Sequence, residues 1–241
     1  MKPLTAVMAA FMLIEPALMT SASQNVFPII PSVRRAPEGR PATPSPLPAA
    51  ADQVAPLILD VRIQIQVPAG RREDWRQTIH RTADRIHVSG AGRREWLFER
   101  NVRDARRVAG SLVDHDSRTI VVYEESDLRN AVGIDGWANV LTLGLNPDWF
   151  GSLVPTVETR IVKGIRAVRH TPLDRRGNPS EVWWAADEAL PVAFTIADGA
   201  AITRLSVERV AAGADASLLR TPASRFPHYA IVQFADWLER H

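Results

Sequence analysis

The sequence predicts a mainly β domain of the α+β class. It is a curved, unclosed antiparallel half-barrel of about ten strands with helices covering its concave face. Three observations predict it. Arg94 to Glu125 reads as three short β-rich runs joined by polar turns. Leu57 to Val67 alternates apolar and polar residues without a break. A single stretch, Ser126 to Gly144, departs from strand periodicity for helical spacing.

Taken in order, Met1 to Ser23 has the layout of a secretory signal peptide. Lys2 supplies the positive start, Pro3 to Ile14 an apolar run, and Ser21-Ala22-Ser23 small residues ahead of cleavage before Gln24. The apolar run is too short for a permanent membrane span. Gln24 to Pro56 is a Pro-rich linker, with Pro28, Pro31, Pro37, Pro41, Pro44, Pro46, Pro48 and Pro56 favouring extended geometry over a packed core. The folded domain is expected over residues 57–241.

Leu59, Val61, Ile63, Ile65 and Val67 share one face of the first strand, and Asp60, Arg62, Gln64 and Gln66 the other. Pro68-Ala69-Gly70 ends it. Further strands are expected at Arg76–Arg81, Arg85–Val88, Glu95–Asn101, Val108–His115 and Arg118–Glu124. Ser126 is a candidate N-cap with Asp127 in the first turn, and two short helices break near Gly133 to Gly136. Asn146-Pro147 closes that unit. Strands resume at Val157–Lys163, Ile165–Thr171, Glu181–Ala185, Val192–Ala197 and Ala201–Val210, with Asp198-Gly199 as a hairpin turn. Ala216–Leu219 reads as one helical turn. Ile231, Phe234, Ala235 and Leu238 form an apolar stripe expected on a terminal helix.

Composition narrows the function. At 46% hydrophobic the chain can bury a proper core. The absence of cysteine excludes thiol catalysis, disulfides, cysteine-ligated zinc and an N-terminal lipidated cysteine. A net charge of +2 is too small to argue for nucleic acid. The basic residues are nearly all arginine, with only Lys2 and Lys163 as lysines.

The C-terminal half resembles the outer-membrane lipoprotein carrier (LolA-like) superfamily, in particular a periplasmic branch of it. The likeness lies in an order of features: the pair Arg160-Ile161-Val162-Lys163-Gly164-Ile165-Arg166-Ala167-Val168, then Glu181-Val182-Trp183-Trp184-Ala185-Ala186-Asp187-Glu188-Ala189-Leu190-Pro191, then a strand pair and Asp215-Ala216-Ser217-Leu218-Leu219 before Pro222. It extends over roughly Leu57 to His241, and the Asp114–Glu124 hairpin looks similar too. The resemblance implies an unclosed curved barrel with helices in its hollow, in proteins that bind acyl chains, lipoproteins or regulatory peptides. A Pro-rich linker stands here where the carriers open with an amphipathic helix, and no carrier ligand residue maps to one position. Lipoprotein transport is therefore not carried over.

Asp114-His115-Asp116-Ser117 holds the residue types of a catalytic triad, but neighbouring turn residues diverge, so turn chemistry is expected. His80, Asp84 and His87 would share a helix face; on strands they do not make a metal set. Arg71, Arg72, Arg76, Arg93, Arg94, Arg100, Arg103, Arg106 and Arg107 are interleaved with Trp75, Trp96 and the acids Glu73, Asp74, Glu95, Glu99 and Asp104. That pattern reads as a salt-bridged sheet face, with anionic headgroups as the functional alternative. Trp183 and Trp184 must face opposite sides of their strand. The cavity-lining set is Trp96, Phe98, Trp137, Leu141 and Trp183.

Together these readings describe an exported periplasmic binding protein, not an enzyme, without cofactor or metal. It would hold a lipid or other apolar ligand in its hollow, with an envelope protein or membrane surface as further partner and no nucleic acid. The alternative is a protein-interaction or envelope-sensing module with a filled core.

Overall fold

A computed structural model describes residues 54–66, 72–90, 92–145, 153–172, 181–198 and 201–239. The expected signal peptide, nearly all of the Pro-rich linker, and the turns at 68–70, 146–147 and 174–179 lie outside the described residues.

One twelve-stranded sheet organises the chain, in the order β12-β6-β5-β4-β3-β2-β1-β11-β10-β9-β8-β7. The strands are β1 (Leu57–Gln66), β2 (Arg72–Arg81), β3 (Arg85–Gly90), β4 (Arg94–Arg100), β5 (Val108–Asp114), β6 (Thr119–Tyr123), β7 (Leu153–Val162), β8 (Ile165–Pro172), β9 (Glu181–Ala185), β10 (Leu190–Asp198), β11 (Ala201–Ala212) and β12 (Ala230–Gln233). The sheet stays open, with β7 and β12 at its edges. Register shifts at Asp60/Val61, Pro155/Thr159 and Pro191/Ala193 insert extra residues that bend the strands carrying them.

The period-two pattern of β1 sets the inner, concave face. Leu57, Leu59, Val61 and Ile63 are buried and lie beside Arg81, Ile79, Gln77 and Trp75 of β2. The same face continues through Ile86 and Val88, then Phe98 and Trp96, then Leu112, then Val121 on one side. On the other side it runs through Val207 and Leu205, then Phe194, then Val182. Each buried aliphatic or aromatic side chain contributes about 1.5–3 kcal/mol relative to exposure.

Short helices lie over part of this face. A turn of α-helix, α1 (Glu125–Asp127), runs into a π-turn (Leu128–Val132) and, after a break, into α2 (Trp137–Leu141). The break falls at Gly133 and Gly136, as expected. Both have positive φ, 74° and 97°. The cap differs from expectation. Glu124 rather than Ser126 is the N-cap, in a reciprocal capping box with Asp127. Leu128 sits over Gly110 of β5, where a Cβ would come within 2.8 Å of its side chain.

Several boundaries differ. β2 starts at Arg72, four residues before the expected Arg76, and β7 at Leu153 rather than Val157. Ala216–Leu219 forms hydrogen-bonded turns rather than a helix. The stripe Ile231 to Leu238 is split. Ile231 belongs to β12, which pairs in parallel with β6, and only Phe234–Leu238 is helical, as α4. The four residues Ala-Ile-Val-Gln gain more from completing the hydrogen bonds of the exposed β6 edge than from one further turn of helix.

The residues between β11 and β12 form a strap across the outer face, including the short helix α3 (Pro222–Arg225). Its anchors follow the strand order. Gly213 N–H donates to Pro56 O and Asp215 N–H to His80 Nδ1 on β2. Arg85 of β3 donates to Leu219 O, Arg225 pairs with Glu95 of β4, and Ala230 N–H reaches Arg118 O at the start of β6.

Candidate functional site

The concave face carries a row of aromatic rings. Trp96 and Phe98 are two apart on β4, so both point inward and their centroids lie 5.2 Å apart. Trp96 then meets Tyr123 of β6 at 4.9 Å, and Tyr123 stacks on Phe234 of α4 at 4.5 Å. Phe234 continues to Trp237 at 6.3 Å. Burial pushes the Tyr123 phenol up to about 12, so it stays neutral.

Four residues of the expected set, Trp96, Phe98, Trp137 and Leu141, are buried in one apolar cluster. Trp183 is placed differently. It is only partly buried, and the Arg160 guanidinium stacks 3.9 Å from its ring centroid. Its neighbour Trp184, 2% exposed, is the inward-facing member of the pair. Adjacent strand residues must diverge, and the pairing of Val168 with Trp184 and of Arg169 with Trp183 assigns their sides. Sequence reasoning also missed Tyr123 on β6, and Phe234 and Trp237, which reach the row through the strap and β12. The local signal for Phe234 was its place in the apolar stripe read as one helix, and Trp237 lay outside that stripe.

Among the described residues the most deeply buried charged side chain on this face is Arg81. The last residue of β2, it is 0% exposed. Its Nη1–H donates to Ala189 O at 3.0 Å and its Nη2–H to Glu188 O at 2.5 Å, in the turn between β9 and β10. It thereby ties β2 to a turn more than a hundred residues away. Among the described residues no carboxylate is within ion-pair distance of it, and Nε has no hydrogen-bond partner. Burial pushes the guanidinium down to about 10, with the Glu188 charge acting against that, so it remains cationic at neutral pH.

The outer face holds a second, polar cluster beneath the strap. Glu95 is paired with Arg225 at 2.8 Å and with His87 Nε2 at 2.8 Å. Burial opposes its ionisation, but His87 and Arg225 outweigh burial and hold it below its ordinary range. His80 lies across the strand pair from His87, ring centroids 6.0 Å apart. Asp84 is turned away, accepting from the Thr82 hydroxyl. Among the described residues no group of three His, Asp or Glu side chains could hold a metal ion.

Asp114-His115-Asp116-Ser117 makes a turn. Asp114 Oδ1 accepts from the N–H groups of Asp116 and Ser117, and its carboxylate pairs with Arg94. His115 turns instead to the strap, 3.1 Å from the Tyr229 hydroxyl and against Phe226. The arginines are mostly matched: Arg93 with Asp116, Arg85 with Glu99, Arg107 with Glu125, and Arg62 with Asp74.

No protein-family model matches the chain. No curated protein matches it. Solved structures do. An uncharacterised conserved protein from Thermus thermophilus aligns at 12% identity over 74% of this chain and 90% of its own, with a TM-score of 0.45. A LolA superfamily protein from Nitrosomonas europaea aligns at 10% identity over 78% of this chain and 98% of its own, TM-score 0.37. MucB, in the Pseudomonas aeruginosa MucA/MucB complex, aligns at 16% identity over 74% of this chain and 59% of its own, TM-score 0.38. The superfamily that the sequence resembles is thus among the structures matched.

Proposed function

We propose that the chain is an exported, non-enzymatic binding protein whose concave face takes an apolar ligand, a lipid or acyl chain. The observation that carries this is the aromatic row from Phe98 through Trp96 and Tyr123 to Phe234 on a face whose helical cover is made of short pieces, of three, five and five residues. Helices this short have no stability of their own in water and hold their place by packing. Moving them off the sheet exposes apolar surface that an acyl chain re-covers, at about 0.8 kcal/mol for each methylene buried. Trp96, Phe98, Trp137 and Leu141 are the lining residues of this reading, with Trp184 in place of Trp183. Residues 1–23 would direct the chain to the periplasm and be removed before Gln24, and intact mass of protein recovered from the cell envelope tests that. Binding is tested with Nile red. Fluorescence that rises to saturation at one probe per chain and is displaced by dodecanol supports the hollow. No rise at any concentration contradicts it.

A second reading rests on a different observation. β7 is an edge strand with Val157 99% and Ile161 68% exposed. With the Arg160–Trp183 stack beside it, that edge suits an envelope protein adding a strand of its own. Protection of residues 153–162 from hydrogen exchange by such a partner, with the concave face unchanged, would favour the interaction module.

A further inference from the structure

We propose that Arg81 is a headgroup anchor, so that the ligand of the concave face is an anionic amphiphile whose carboxylate or phosphate meets the guanidinium while its chain lies along the aromatic row. The inference rests on the apolar-ligand reading above and adds the chemistry of the polar end.

Several features of Arg81 support this assignment. Arg81 is wholly buried and charged, yet among the described residues no carboxylate is in ion-pair contact with it, and the one opposing charge that acts on it, that of Glu188, does so from farther off. Its inward neighbours are Ile79 on its own strand and Leu57 and Ile86 across from it. The two acceptors it reaches, Glu188 O and Ala189 O, are neutral carbonyls. A buried charge with no opposite charge in contact is costly, and a plain staple between β2 and the β9–β10 turn needs only a neutral donor. Two of its terminal N–H groups are used, and the Nε edge of the fork is left over. That edge is the one with which a guanidinium holds a carboxylate or phosphate through paired hydrogen bonds.

A second orphaned donor is found at the same end of the sheet. Trp137 Nε1 is buried without a partner, and Trp137 N–H donates to Arg106 O in the β4–β5 turn. That turn adjoins the β2–β3 turn through Arg100 N–H and Asp84 O, one turn beyond Arg81. Two residues with an unpaired buried donor thus sit toward one end of the concave face, where the acidic end of an amphiphile would lie.

The test compares dodecanoate with dodecanol, equal in chain and different in charge, by displacement of Nile red from the full chain and from Arg81→Gln. The proposal expects dodecanoate to bind the wild-type protein at least about tenfold more tightly, and Arg81→Gln to lose that preference while keeping its affinity for dodecanol. Equal affinities in the wild-type protein would overturn the anchor and leave the hollow standing. Failure of both compounds to displace the probe would overturn the hollow and the anchor with it. Should Arg81→Gln not fold, Arg81→Lys keeps the charge and gives up the fork, and an undiminished preference for dodecanoate there would overturn the paired geometry. Dodecyl phosphate in place of dodecanoate tells a phosphate headgroup from a carboxylate.

Discussion

Removing the Glu95 carboxylate tests the strap. Glu95 is 7% exposed, its partner His87 1%, and the Arg225 side chain 12%. The carboxylate is the one acid that joins β4 to α3. Glu95→Ala would leave the Arg225 guanidinium with Leu218 O and the Phe226 ring but without its opposite charge, and take the partner from His87 Nε2. Breaking a buried pair by deleting one member costs about 3–5 kcal/mol, because the other is left desolvated and uncompensated. For a domain of this size each kcal/mol lowers Tm by about 2–4 °C, which places the expected fall at roughly 6–20 °C. The control is Glu208→Ala. Glu208 pairs with Arg76, whose side chain is 71% exposed, and exposed pairs contribute about 1 kcal/mol or less. Thermal unfolding followed by circular dichroism gives both values. Hydrogen exchange should also show β12 and residues 213–229 losing protection before β1 and β11. A Glu95→Ala protein that melts within a degree or two of Glu208→Ala would refute the idea that this cluster holds the strap.

Three further outcomes follow from single residues. Gly136→Ala should destabilise by about 1–3 kcal/mol, measured by urea denaturation, because φ is 97° there and the new Cβ would stand 2.7 Å from Arg106 O. Trp184→Ala should cost about 3–5 kcal/mol by the same measurement and Trp183→Ala clearly less, since Trp184 is 2% exposed and Trp183 only partly buried. Burial and the neighbouring His87 charge lower the His80 imidazole, with Asp215, Asp60 and Arg209 also acting on it. The stability tied to neutral His80 is therefore complete above about pH 6.5 and lost as pH falls through the lowered value. His80→Gln should flatten that part of the stability–pH curve, read from urea midpoints.

The hairpins were legible because each is local. β4, β5 and β6 are joined by turns whose Asp and Asn residues signal themselves, and β1 alternates so regularly that its inward face can be read directly. The break at Gly133 and Gly136 was legible for the same reason, since those backbone positions suit glycine. What the sequence left open depends on distant partners. Period-two geometry requires Trp183 and Trp184 to diverge, but only the pairing with β8 decides which turns inward. Arg225 meets Glu95 across 130 residues, and no local pattern announces that contact. Ile231 fits a helical stripe by spacing and joins β12 because the β6 edge is there to receive it. Arg81 enters the sequence reading only as the end of an expected strand, and its place on the concave face follows from the parity it shares with Ile79.

The central claim is that the concave face holds an apolar ligand. Native mass spectrometry of the protein recovered gently from the cell envelope, followed by solvent extraction and lipid analysis, tests it most directly. A reproducible adduct of lipid mass, released by extraction and identified as an amphiphile, is the result the account predicts. A mass equal to the bare chain, unchanged after incubation with envelope lipids, would contradict it and leave the filled core with an outer binding edge.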